Sequence, residues 1–186
     1  DTAPAVAWAT LEVAKKYGND AIVGFFPADH WIGDRVAYEK TLDAASQEAA
    51  SEPYIVTLGI KPNQPSTGYG YIEQGVEKGN FNHLPVYKLT RFAEKPDRAT
   101  AESFINTGNY SWNSGMFMFT AASILQELDH FSPTIYAAVK ESVAAGSRDL
   151  DFCRLNAAAF TASPSDSIDY AVMEKTDKAV VVPLDA

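Results

Sequence analysis

Four short stretches of the sequence carry residue types suited to chemistry on a polar ligand. The first is Pro27-Ala28-Asp29-His30, which follows the apolar run Ala21–Phe26. In open α/β sheets ligands bind outside the carboxyl ends of strands, so a carboxylate at Asp29 is placed to hold Mg²⁺, an ion that takes oxygen ligands and often bridges to phosphates. The same aspartate also suits a cap on the next turn, and His30, with no second histidine nearby, reads as structural. The second is Thr67-Gly68-Tyr69-Gly70-Tyr71-Ile72. Two glycines before a strand let a backbone approach a ligand closely, and equally suit a strand-entry bend with packed tyrosines. The third is Glu94-Lys95-Pro96, at a strand end. A carboxylate can accept hydrogen bonds from two sugar hydroxyls and an ammonium can hold a phosphate, though a solvated strand end has the same composition. Pro96 biases Lys95 toward extended backbone. The fourth is Gly108–Phe117, with Asn109, Trp112 and Asn113 between a helix and a strand. Asparagine offers donors and an acceptor for hydroxyls, and is also ordinary turn chemistry.

Other chemistries lack their residues. The sequence has no nucleophile elbow, no phosphate-binding P-loop and no His/Cys metal spacing. The single cysteine, Cys153, excludes an internal disulfide and a cysteine zinc site. It lies in a helix-like stretch and reads as a buried structural thiol. Net charge is −9, and the 15 Lys and Arg are scattered, so no basic face for nucleic acid is expected. No apolar run reaches membrane-spanning length, and no leader is visible, though Asp1 is not a natural start. The composition suits the cytoplasm.

The elements that must position these stretches follow from patterning. Residues 2–17 read as a well-buried helix, capped by Asp1 or Thr2 and stopped by Gly18. Ala21–Phe26 reads as a central parallel strand, Asp34–Ala50 as an amphipathic helix and Tyr54–Ile60 as a second strand, together a βαβ unit. Gly70–Glu77 and Val86–Ala93 read as an antiparallel pair turning near Gly79 and Asn80. A short helix over Thr100–Thr107 and a buried strand over Ser114–Thr120 follow. Helices are expected over Thr120–His130, Pro133–Ala145, Asp149–Phe160 and Ile168–Lys175, and a last strand over Ala179–Pro183. The class is α/β, one mixed, mainly parallel sheet with helices on both faces.

Taken together, the motifs resemble one family: the mannose-1-phosphate guanylyltransferases, among the nucleotidyltransferases that make nucleotide sugars. The matching text is Asp1–Ala5, Phe26–His30, Leu58–Pro62, Thr67–Ile72, Phe92–Asp97, Trp112–Phe117 and Ile168–Lys175. It covers nearly the whole chain. The resemblance implies a Rossmann-like nucleotidyltransferase core, here residues 1–186 as an incomplete catalytic domain. It implies that the phosphate of mannose 1-phosphate attacks the α-phosphate of GTP in line, with pyrophosphate leaving and Mg²⁺ assisting. No covalent enzyme intermediate is needed.

Carried over residue by residue, the resemblance makes Asp29 the metal-binding and catalytic aspartate. The Gly70 N–H becomes a sugar-hydroxyl contact, Glu94 a holder of ring hydroxyls and Asn113 a further hydroxyl contact. Lys95 becomes the catalytic contact to the sugar phosphate, and Thr2, Ala3 and Pro4 part of the base-binding edge. The family's usual Asn before Thr-Ala-Pro is Asp1 here, which leaves the base contacts open. The family's Gly-rich triphosphate loop would precede Asp1, and its second metal-binding Asp would follow Ala186. The chain alone is therefore expected to be inactive, and to self-associate through an uncovered sheet edge or as a homo-oligomer. The alternatives are a pyrophosphorylase for another sugar, such as glucose with UTP or dTTP, and a non-catalytic sugar-nucleotide-binding regulatory module.

Overall fold

The computed structural model describes residues 1–186. They form two compact units: one holds Asp1–Val23 and Ala121–Thr176, the other Gly24–Thr120 and Asp177–Ala186.

The first unit is mainly helical. Helix α1 (Thr2–Tyr17) starts where the Asp1 carboxylate accepts from the Thr2 N–H at 2.8 Å, and ends at Gly18, whose φ of 94° is left-handed territory. Helices α4 (Ala121–Phe131) and α5 (Pro133–Ala144) pack with it and with each other. Ala3, Val6 and Ala7 of α1, Ile124 and Leu128 of α4, and Ile135 and Val139 of α5 are all buried. The helix expected over residues 149–160 is instead a hairpin of β6 (Ser147–Asp149) and β7 (Phe152–Arg154), followed by a short α6 (Ala157–Thr161). Leu150 turns the hairpin with φ 54°, and a helix cannot pass through that conformation. Cys153 therefore lies on a strand and is only partly buried. Residues Asp169–Met173 form a π-helical turn within the stretch read as a helix.

The second unit holds the sheet. Its strands are β1 (Ile22–Phe25, which enters it at Gly24), β2 (Ile55–Ile60), β3 (Tyr71–Phe81), β4 (Leu84–Ala93), β5 (Tyr110–Thr120) and β8 (Ala179–Leu184). The order is β1-β5-β2-β8-β4-β3, with β3 also pairing with β5. The mixed α/β architecture is as expected, but the balance of directions is not. Strands β2 and β8 run parallel, whereas β2–β5, β3–β4, β3–β5 and β4–β8 are antiparallel. Strand β1 stands at the end of the order rather than in its middle. Only Val23 of its four residues is buried, so the apolar run does not mark a strand covered on both faces. The β3–β4 turn falls at Asn82 and His83, with φ of 53° and 66°, beyond Gly79 and Asn80. Two residues at positive φ match the twist of a hairpin, and asparagine tolerates that region well.

Helix α2 (Arg35–Ser51) is capped by Asp34, whose carboxylate accepts from the Ala37 N–H at 3.0 Å. It lays Ala44, Ala45 and Ala49 on Val56, Leu58, Val180 and Val182 of the sheet, with Tyr38 and Leu42 at the margin. Truncating a residue as buried as Leu58 to alanine costs about 2–5 kcal/mol. Helix α3 (Arg98–Thr107) begins two residues before the expected start because Asp97 is its cap. Gly108, in the left-handed conformation, ends it. The α3 residues Ala101 and Phe104 pack on Tyr71 and Trp112.

Candidate functional site

Strand register assembles the site. Tyr71 pairs with Ala93 of β4 on one side and with Trp112 of β5 on the other. Antiparallel pairing then puts the next rung, one residue outward, at Gly70, Glu94 and Asn113. Three residues from three distant motifs thus meet at one end of the sheet. The Asn113 N–H continues the ladder to the Gly70 carbonyl at 2.7 Å.

Gly70 gives room to this crowding. A Cβ there would stand 2.6 Å from Glu94 Oε2 and 3.3 Å from Asn113 Cβ. The Glu94 side chain is only 8 % exposed, and its Oε1 pairs with Lys95 Nζ at 3.1 Å. Lys95 reaches it by an unexpected route. Its φ is 45°, left-handed backbone, although it precedes Pro96. That conformation costs about 1–2 kcal/mol for a non-glycine residue. It bends the chain so that the ammonium comes back to its neighbour's carboxylate, where extended backbone would part the two side chains. The Lys95 side chain is 60 % exposed, so its charge faces solvent while Glu94 is mostly covered.

Asn113 is oriented by two donors. Thr57 Oγ1 donates to its Oδ1 at 3.0 Å, and the Gly115 N–H donates to the same atom at 3.2 Å. The amide oxygen is thereby engaged, and Nδ2 is the group's donor end. Thr57 is wholly buried on β2. Sequence reading gave no sign of it, because a threonine in an apolar strand looks like β-propensity alone. Asn113 and Trp112 lie within β5, not in a loop before it. Their side chains part across the strand: Trp112 packs with Tyr71 and Phe104, and the Tyr69 ring lies 4.9 Å from it.

Asp29 is in an exposed turn after β1. The start of its motif does reach β5: a Cβ on Gly115, whose φ is 72°, would lie 3.4 Å from Pro27 Cγ. His, Cys, Asp and Glu form no group of three that could hold a metal ion. Thr2, Ala3 and Pro4 belong to the first, helical unit. There they make the first turn of α1, with Ala3 and Pro4 buried. Thr2 Oγ1 accepts from the Ile168 N–H at 2.8 Å, and the Ala3 N–H donates to the Asp166 carbonyl at 3.1 Å. The motifs Asp1–Ala5 and Ile168–Lys175 are thus hydrogen-bonded at their borders.

The arrangement offers a covered carboxylate, an oriented amide, a close backbone approach and an exposed ammonium within one rung of sheet. These are the groups that recognise hydroxyls and a phosphate. No helix is long and apolar enough to cross a membrane.

Known proteins resemble the chain over its whole length. Over 186 residues the chain is 50% identical to the xanthan biosynthesis protein XanB of Xanthomonas campestris pv. campestris, covering 100% of this chain and 38% of that protein. It is 46% identical to a mannose-1-phosphate guanylyltransferase of Klebsiella pneumoniae, covering 100% of this chain and 39% of that protein. The chain therefore spans about two fifths of the length of these curated relatives. Among solved structures, one from Helicobacter pylori described as a mannose-6-phosphate isomerase superposes with a TM-score of 0.85 at 31% identity, over 100% of this chain and 69% of that one. Another, from Thermus thermophilus and described as a mannose-1-phosphate geranyltransferase, gives 0.82 at 33% identity, over 98% and 50%. Residues 1–158 match the nucleotidyl transferase family, and with these relatives at its side the chain belongs to that family.

Proposed function

We propose that this chain is part of the catalytic domain of an enzyme that makes GDP-mannose and pyrophosphate from mannose 1-phosphate and GTP. The observation that carries the reading is the single rung holding Gly70, Glu94 and Asn113, with Lys95 paired to Glu94. Relatives named mannose-1-phosphate guanylyltransferase, such as that of Klebsiella pneumoniae, support the choice of sugar and base. In the reaction a phosphate oxygen of mannose 1-phosphate forms a bond to the α-phosphorus of GTP as the bond to the leaving pyrophosphate breaks.

The residues have distinct tasks. Glu94, covered and acceptor-only, takes hydrogen bonds from ring hydroxyls, and Asn113 Nδ2 donates to another. The Gly70 backbone faces the sugar where any side chain would collide with Glu94. Lys95 neutralises part of the sugar phosphate, and Glu94 holds its ammonium within reach. Such transfer rests on positioning and charge neutralisation and needs no enzyme nucleophile. Thr2, Ala3 and Pro4 serve the base-binding edge.

Asp29 would hold Mg²⁺. An exposed carboxylate outside any group of three metal-ligating side chains fits that ion in the mode where water and substrate phosphates supply most of its oxygens. When bound, the metal offsets polyphosphate charge. The enzyme works in the cytoplasm, as a homo-oligomer. The exposed Phe26, Trp31 and Val36 that follow β1 supply apolar surface for self-association.

Calorimetry tests the reading. GDP-mannose should bind in preference to GDP-glucose and UDP-glucose, more tightly with Mg²⁺, and Glu94→Gln should abolish the preference. Equal binding of all three, or binding indifferent to Glu94→Gln, overturns it.

A further inference from the structure

Within the helical unit lies a cavity that the sugar-phosphate reading does not use. It is about 140 Å³ in volume, and its polar lining is Glu12 and Lys15 of α1 with Ser147, Arg148, Cys153 and Arg154 of the β6–β7 hairpin. Three cations and one carboxylate line this space, in a chain whose net charge is −9. Surface charge here runs against the protein as a whole.

Two of the cations face carboxylates. Arg154 Nη2 pairs with Asp149 Oδ2 across the hairpin at 2.7 Å, and its Nε donates to the same oxygen at 2.8 Å. Arg148 is held less tightly: Nη2 is 3.7 Å from Glu12 Oε2, beyond hydrogen-bond length, and the side chain is 64 % exposed. Glu12 Oε2 also accepts from the Cys153 thiol at 3.5 Å. Even when Asp149 and Glu12 are set against Arg154 and Arg148, Lys15 leaves a positive balance.

Size and donor type narrow the ligand. The volume is well below the roughly 300–1,000 Å³ of pockets for drug-sized ligands, which excludes a whole nucleotide. The guanidinium fork of Arg148, the Lys15 ammonium and a serine hydroxyl suit a tetrahedral oxyanion. We propose that this cavity is a binding site for a phosphate group, free or carried by a small phosphomonoester, with Arg148 turning from its long contact with Glu12 to the anion. The carboxylate of Glu12 and the nearby carboxyl end of α5 oppose a dianion, so the affinity is millimolar rather than tight. The proposal stands independently of the assignments to Glu94, Lys95 and Asn113.

The only cysteine of the chain sits in the cavity wall and gives a local readout. The rate of Cys153 alkylation by iodoacetamide is measured in inorganic phosphate, in mannose 1-phosphate, and in sodium chloride at matched ionic strength. Inorganic phosphate is expected to slow alkylation where chloride does not, in the unaltered chain and in Lys95→Ala alike. Arg148→Ala is expected to raise the phosphate concentration needed about tenfold, the loss of one charge-assisted hydrogen bond. Lys15→Ala should shift it in the same direction, and thermal unfolding of both variants confirms that they are folded. Three results overturn the proposal: chloride slowing the reaction as much as phosphate, phosphate protecting folded Arg148→Ala as well as the parent, or protection by mannose 1-phosphate alone that disappears in Lys95→Ala. The last would mark an effect relayed from the sugar-phosphate residues.

Discussion

Replacing Gly70 with alanine separates a ligand cradle from a packed strand end. The added Cβ would sit 2.6 Å from Glu94 Oε2, so the carboxylate must move about 0.8 Å to reach ordinary contact at 3.4 Å. A hydrogen bond of about 2.8 Å from a sugar hydroxyl to that carboxylate would then stretch to about 3.6 Å and cease to be one. A hydrogen bond to a charged group is worth about 1.5–3 kcal/mol. Affinity for GDP-mannose should therefore fall about 10- to 150-fold. Stability should suffer less, because the colliding atom is the end of a side chain. An overpacking penalty near the low end of about 1–3 kcal/mol is expected. That corresponds to a melting temperature about 2–4 °C lower. Gly68→Ala, in the same motif, is the control. Its Cβ would meet only Ser66 Oγ, at 3.7 Å, so binding and stability should both be unchanged. Calorimetric titration and thermal unfolding of the three proteins decide the matter. If folded Gly70→Ala binds GDP-mannose within about twofold of the parent, Glu94 is not a ligand contact and the cradle is refuted.

Further outcomes follow from the same contacts. Thr57→Val removes one of the two donors on Asn113 Oδ1 and should cost about 0.5–1.5 kcal/mol by urea unfolding, with weaker sugar binding; unchanged stability would show that the hydroxyl does not orient the amide. Burial pushes the Glu48 carboxyl above its ordinary range, against the pull of Lys78 and with the push of Glu52. A raised folded-state value means that stability falls as pH climbs from the ordinary carboxylate range through the folded one. Glu48→Gln should escape that loss, so its unfolding midpoint relative to the parent should be higher at neutral pH than in acid; the reverse trend would mean that Lys78 outweighs desolvation. Light scattering should show mass rising with concentration, and Trp31→Ser should reduce it, since that ring is 87 % exposed; a concentration-independent monomer refutes self-association.

The candidate site was legible in its residues before its geometry was. Gly70, Glu94, Lys95 and Asn113 each stood in a motif with a recognisable chemical use. What brings Gly70, Glu94 and Asn113 together is register across three strands, which periodicity cannot supply, since it fixes faces but not partners. The Lys95 turn ran against a local rule because proline's bias on its predecessor is modest, and at this place the ion pair lies on the other side of it. Buried supports such as Thr57 leave no trace in a pattern read for charge and glycine. Among the elements, α1 and α2 were set by strong caps and long apolar stripes. The β6–β7 hairpin was read as helix, yet Leu150 turns it at φ 54°, and Leu150 and Phe152 are 89 % and 64 % exposed.

Strand β8 lies between β2 and β4 in the sheet, yet more than eighty residues separate it from β4 along the chain. During synthesis, β2 and β4 must therefore wait for it with open edges. At about 5–20 residues per second, that interval lasts some seconds. Unpaired edges of apolar strands are what chaperones and neighbouring nascent chains engage. The sheet closes only once Ala179–Leu184 has left the ribosome. Mutations that slow its docking should reduce the yield of soluble protein even where the finished fold is as stable as before.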